Sequence, residues 1–286
     1  MEELVTNETE DIEIIVGEDA STDPNFLYEN QKIKTLPHCK YVYFTENNGR
    51  AKIRNKLSDI SQGKYLLFID SDALVMSTNF LSEYIKNIPY HDVIYGGIST
   101  PVRMPDKRNR TLRLAYEKAA ENIRSLSFRK KNPYKYISAF NILIKHELFD
   151  QIKFNENCTL YGYEDALLGI ELKIRKKEIY HIDNPLLHTG IDTNEEYLEK
   201  IKDSLTTLYT IGNTMQNESS ICKIQKIITK VKLNTPIDIL FTHIFKKRFE
   251  KNLLSTSPSL SILKLYKIGY YCHICQTNEK KRKSIR

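Results

Sequence analysis

The chain has 286 residues, of which 41% are hydrophobic and 28% charged, so it can bury the core of one large domain or two small ones. No apolar stretch is long enough to span a bilayer, and the acidic opening MEELVTNETED offers no apolar segment of a secretory signal. The net charge of +7 is concentrated in KKRFEK and the tail EKKRKSIR, but no nucleic-acid motif accompanies these bases, and nucleic acid is not an expected partner.

In chain order, IEIIVGED (Ile12 to Asp19) reads as an apolar strand ending in acids. Glu18 and Asp19, with Ser21 and Thr22, stand at its tip. A carboxylate there suits a base N–H or a ribose hydroxyl, and equally a simple turn. YVYFTENNG (Tyr41 to Gly49) is a second strand closed by a tight turn, and Arg50 to Ser61 has helical spacing in Ile53, Leu57 and Ile60. Asn47, Lys52 and Arg54 lie at that turn and helix start, where backbone N–H groups and cations can meet phosphates or merely water.

KYLLFIDSDALV (Lys64 to Val75) is the most informative run. A continuous apolar strand stops at Asp70-Ser71-Asp72. Ligands of open α/β sheets bind beyond the carboxyl ends of strands. Two hard oxygen ligands there suit Mg²⁺ or Mn²⁺ bridging a diphosphate, although Asp-x-Asp alone is also a common turn. A helix around Phe80 to Ile88 and a short strand VIYGG follow. Next come a basic helix over Arg110 to Arg129 and a strand over Ile137 to Ile144. Arg124, Arg129, Lys130, Lys131 and Lys135 can face an acidic glycan, a lipid phosphate or water.

YGYEDALLGIEL places Glu164 and Asp165 at the start of a helical run, where acids suit the helix dipole or serve as a general base. In HIDNPLLHTG, His188 is either structural or an imidazole ligand to a metal. Alternating strands and helices predict an α/β fold with a mostly parallel mixed sheet. A domain over residues 1–194 precedes a helical, basic extension over 195–286. Its stretch Ile221 to Leu254 mixes Ile, Leu and Phe with Lys and Arg. It predicts either peripheral contact with an anionic membrane or a packed helical cap. The five scattered cysteines suit a reducing compartment, and the lone C-x-x-C at Cys272 and Cys275 lacks the second ligand pair that zinc requires.

The ordered set ED-x-S-T, N-x-G-x-x-x-x-R-N, YLLFIDSD, GYED and a late His resembles the family 2 glycosyltransferases, over roughly Ile12 to His188. The resemblance implies a GT-A fold, inversion, a divalent metal and a nucleotide-sugar donor, with a leaning to UDP. It implies that Asp19, with Glu18, contacts the nucleoside, and that Asp70 and Asp72 hold the sugar-nucleotide and its metal, with Asp72 the direct ligand. Asp165 matches the catalytic base, Glu164 stands beside it near the acceptor, and His188 completes the metal site. The implied acceptor is a glycan or a lipid-linked hydroxyl, and the implied location is cytoplasmic, at the inner face of the cell membrane.

The family's opening strand is not found. EELVTNETED matches only the end of the helix that would follow it, so an N-terminally truncated copy is expected. Two further readings are a transferase-like binding subunit without activity and a basic adaptor acting through the tail alone.

Overall fold

The computed structural model describes residues 12–101 and 108–284, and the chain divides into two compact units. The expected reading of EELVTNETED as a helix end lies outside the described residues. The first unit holds residues 12–101, 121–159 and 164–190; the second holds 108–120, 160–163 and 191–284. Segments 108–120 and 160–163 thus belong with the C-terminal helices.

The first unit opens with β1 (Ile14–Asp19), α1 (Pro24–Gln31), β2 (Cys39–Phe44), α2 (Gly49–Ile60) and β3 (Tyr65–Ile69). Then come β4 (Ala73–Leu74), α3 (Phe80–Ile85), β5 (Val93–Tyr95) and β6 (Ile98–Ser99). After α4 (Thr111–Arg124), which spans the unit boundary, follow α5 (Leu126–Lys131), β7 (Asn141–Lys145), α6 (His146–Ile152), α7 (Glu164–Ile174), β8 (Tyr180–His181) and β9 (Leu186–His188). β1 and β2 pair in parallel; a second sheet has the order β3-β7-β5-β8, and a third the order β4-β9-β6. Of the six pairings, β1–β2, β5–β8 and β6–β9 are parallel and the others antiparallel, so the α/β class with a mixed sheet and flanking helices is present.

Local chemistry sets these boundaries. Strand β2 ends at Phe44, short of Gly49, because Asn47 and Asn48 turn the chain; Asn47 Oδ1 accepts from Gly49 N at 3.0 Å. Gly49, at φ +70°, adopts a conformation that a side chain would strain. At Gly17 a Cβ would stand 3.0 Å from Leu57 on α2, so the strand presses its backbone against the helix. The core gathers Phe80, Tyr84, Ile94, Phe140, Leu143, Ile182 and Leu186.

Three expectations need correction. The helix over Arg110 to Arg129 is two helices, because Ser125 breaks the first and caps the second. Arg129 faces neither acceptor nor water. It is 2% exposed and donates to the carbonyls of Tyr95, Gly96, Arg124 and Ile182, which lie at the ends of strands and of a helix. The expected strand from Ile137 begins only at Asn141, because Ser138 and Ala139 leave the ladder to bind Asp165.

The second unit adds α8 (Asn194–Thr210), closed at its start by a capping box between Thr193 and Glu196. Then come α9 (Gly212–Met215), α10 (Ser220–Lys230), α11 (Asn234–Leu240), a π-helical turn (Phe241–Phe245), α12 (Lys246–Leu253) and the long α13 (Leu260–Ser284). The C-terminal region is therefore helical. No helix among the described residues is long and apolar enough to cross a membrane.

Candidate active site

All the acidic motifs and the late histidine fall in the first unit. Asp19, at the tip of β1, accepts from Asn48 N and Nδ2 at 2.8 Å and from Gly49 N at 3.0 Å. It thus holds the start of α2, where free N–H groups favour an anion. Glu18 points the other way along the strand. It is buried and accepts from Ser21 Oγ, from Asn30 Nδ2 at 2.7 Å and from the Tyr41 hydroxyl at 3.3 Å.

Helix α2 then delivers two guanidiniums to one spot. Arg54 Nη2 lies 2.5 Å from Asp70 Oδ1, and its Nη1 lies 3.3 Å from Glu164 Oε1 and 3.9 Å from Asp165 Oδ1. Burial works against the Arg54 charge, but Asp70, Asp165 and Glu164 outweigh it and raise its pKa further. Arg50, one helical turn earlier, reaches Asp70 at 3.4 Å and Glu164 at 3.8 Å. The i, i+4 spacing from Arg54 is the signal that could have found it. Lys52, on another face, is exposed, and Asn47 is spent on its own turn.

The two acids opening α7 have different settings. Glu164 is 3% exposed; burial and the neighbouring Asp165 hold its carboxyl above the usual range in spite of Arg54 and Arg50. Asp165 is 23% exposed at its side chain. Its Oδ2 accepts from Ser138 Oγ at 2.7 Å and its Oδ1 from Ala139 N at 3.0 Å. A carboxylate so held keeps a fixed direction and spare lone pairs, which a proton acceptor needs. Nothing in the sequence marks Ser138 for this task.

Asp72 belongs to a second cluster. His188 Nε2 lies 3.1 Å from Asp72 Oδ2, and β4 and β9 set this by pairing Ala73 with His188. The Asp72 main-chain oxygen accepts from Thr189 N at 2.9 Å and Thr189 Oγ1 at 2.7 Å. Burial alone would raise the Asp72 pKa, but the hydrogen bond and charge of His188, with Arg50, bring it below the usual value. A Cβ at Gly190 would stand 2.7 Å from Asp72 Cβ, so only glycine fits there. His188 also meets the edge of Phe140 at 5.3 Å.

The structure therefore joins Asp70, Glu164 and Asp165 through Arg54, and joins Asp72 to His188. Asp72 and His188 are the pair whose donor atoms already converge, an oxygen and an imidazole nitrogen suited to a divalent cation. Asp70 is drawn to the arginines, and among the described residues no three side chains form a ready metal cage.

Comparison with known proteins places this site in context. Residues 1–153 match the model described as glycosyl transferase family 2. The teichoic acid poly(glycerol phosphate) polymerase of Staphylococcus epidermidis is 26% identical over 164 residues, 56% of this chain and 22% of that protein. An uncharacterized glycosyltransferase of Escherichia coli, YibD, is 31% identical over 80 residues, 28% of this chain and 23% of its own. The chain thus spans less than a quarter of the length of these curated relatives. Among solved structures, S. aureus TarS 1-349 in complex with UDP-GlcNAc superposes with a TM-score of 0.45 at 15% identity, over 93% of this chain and 83% of that one.

Proposed function

This chain belongs to glycosyl transferase family 2, and from that premise we propose that it moves a sugar, with inversion, from a UDP-sugar to a hydroxyl of a glycan or lipid-linked acceptor. The observation that carries the reading is the setting of Asp165. It is fixed by Ser138 and Ala139, partly open, and tied through Arg54 to the acid that ends β3.

Attack of a hydroxyl on an anomeric carbon passes through an oxocarbenium-like state. Asp165 takes the proton of the attacking hydroxyl, and Glu164 lies beside it toward the acceptor. Asp19 and the Asn47 turn receive the nucleoside. Arg50 and Arg54 hold Asp70 in place and add positive charge near the diphosphate. Asp72 and His188, with Asp70 nearby, hold a divalent cation, Mn²⁺ or Mg²⁺, which when bound supplies Lewis-acid stabilisation of the leaving diphosphate. One base and one leaving group on opposite faces give a single displacement.

The partial likeness to the teichoic acid polymerase favours a teichoic-acid-type polymer as the acceptor. With it goes a cytoplasmic place at the inner face of the membrane.

The test is thermal unfolding of the purified chain with Mn²⁺ and UDP, GDP, dTDP or CMP. A ligand bound only by the folded state raises the melting temperature with its occupancy. The expected result is a Mn²⁺-dependent rise with UDP that disappears in Asp72→Ala. No rise with any nucleotide would favour a transferase-like binding subunit instead.

A further inference from the structure

The second unit presents an apolar surface ringed by lysines that the transfer reaction does not use. Between Ile227 and Ile244, six large apolar side chains are exposed: Ile227, Val231, Leu233, Ile239, Leu240 and Ile244. Ile227 is 63% and Ile239 54% open to solvent, where each leaves apolar area in water.

Their direction follows from what lies beneath them. Helices α10, α11 and α12 all pack on α13. Cys222, Ile228, Asp238, Phe241 and Leu253 are the buried residues on that inner side. Gln225 Oε1 accepts from Cys272 Sγ at 2.9 Å, Asp238 Oδ1 lies 2.7 Å from His273 Nδ1, and the Phe241 ring rests on Gly269 and, at 5.5 Å, on Tyr266. The exposed apolar residues alternate with these at helical spacing and so face away from α13.

The exposed charges within the stretch from Ile221 to Phe249 have one sign. Lys223, Lys226, Lys230, Lys232, Lys247 and Arg248 are exposed in the same stretch. From Ile221 to Phe249 the sequence has one acid, Asp238, and it is buried against His273. On α10, Lys223, Lys226 and Lys230 flank Ile227 on the outward face. A protein partner's face would need matching acids and an apolar pocket in one arrangement. An anionic bilayer offers both everywhere: headgroup charge for lysines and acyl carbon for side chains seated a few ångströms deeper.

We propose that the outward face of α10, α11 and the π-helical turn is a docking surface for an anionic phospholipid bilayer. It lays Ile227, Val231, Ile239, Leu240 and Ile244 into the headgroup boundary while the lysines meet the phosphates. This deepens the reading of a transferase with a lipid-linked acceptor, and rests on that reading only for its purpose.

The test is sedimentation of the purified full chain with large vesicles, without nucleotide or metal. One set is phosphatidylcholine; the other contains about one third phosphatidylglycerol. The expected result is partition onto the anionic vesicles alone, weakened by salt. Partition should fall about tenfold or more in Lys226→Ala with Lys230→Ala, and similarly in Ile239→Ser with Ile244→Ser. All these side chains are exposed, so the variants should melt like the parent. Phe26→Ser with Tyr28→Ser, exposed in the first unit, should leave partition unchanged.

No partition onto anionic vesicles at low salt would overturn the proposal, as would equal loss in the first-unit variant. So would a dimer, seen by light scattering, that Ile239→Ser with Ile244→Ser dissolves while vesicles capture nothing. Nucleotide-dependent melting of the same variants reports on the donor site separately, so either reading can fail alone.

Discussion

His188 and Asp72 stand 116 residues apart in the chain, yet the imidazole Nε2 and a carboxylate oxygen meet at 3.1 Å. Two short strands make the meeting, β4 immediately after Asp72 and β9 ending in His188 itself. The contact depends on a third position, since Gly190 leaves room for the Asp72 side chain.

Gly190→Ala should therefore displace Asp72 before it disturbs anything else. The added methyl overlaps a side chain seated on its own main-chain bonds to Thr189, and overpacking of this kind costs about 1–3 kcal/mol. The expected outcome is a lower melting temperature and loss of the Mn²⁺-dependent part of nucleotide stabilisation. Unchanged Mn²⁺ dependence would separate Asp72 from the metal.

Asp165→Asn keeps the size of the side chain and its bond to Ser138 but removes the proton acceptor. We expect turnover to fall by about 10²–10⁴-fold with donor affinity nearly unchanged. Steady-state kinetics alongside UDP-induced melting shifts would show the split. A donor affinity that falls with turnover would assign Asp165 to binding instead.

Arg54→Met removes one guanidinium from among Asp70, Glu164 and Asp165, leaving the first two with the more distant Arg50 and taking the arginine from Asp165. Such a loss costs about 3–5 kcal/mol, whereas Arg54→Lys keeps the charge and loses the fork that reaches two acids at once. Urea unfolding should rank wild type above Arg54→Lys above Arg54→Met.

His181 gives the fold an acid limit. Burial, with the charges of Arg129 and Lys130, pushes its pKa down to about 4, although the Pro133 carbonyl, 2.9 Å from Nε2, pulls the other way. With its folded pKa below the unfolded value of 6.5, the unfolded chain binds more protons between the two. Stability is then full above pH 6.5 and declines as pH falls toward 4, by on the order of 3 kcal/mol. Urea midpoints across that range should show the decline, and His181→Gln should flatten it.

Much of this arrangement was legible in the sequence. An apolar run that stops at an acid marks a strand tip, which located Asp19, Asp70 and Asp72. Helical spacing located α2 and, with it, Arg54. What was not legible depends on contacts distant in sequence. Arg129 reads as a surface base because its run is basic, and only the meeting of the Tyr95, Gly96 and Ile182 carbonyls explains its burial. Ser138 reads as strand because its neighbours are apolar, and only the approach of Asp165 withdraws it from the ladder. Gly190 carries no local signal, since its constraint is a side chain 118 positions earlier, at Asp72.

Strand β3 lies at the margin of its sheet, pairing with β7 alone among the described residues. His146 N donates to Lys64 O, which fixes the phase of the ladder, so the amides of Leu66 and Phe68 face β7. Those of Tyr65, Leu67 and Ile69 face the other margin. Among the described residues, the motif that carries Asp70 and Asp72 is thus anchored by a strand whose ladder bonds protect alternate amides. In deuterated water its amides should exchange in two classes, slow at Leu66 and Phe68 and fast at Tyr65, Leu67 and Ile69. Any chain laid along that margin would slow the second class and, through Asp70, register at the site.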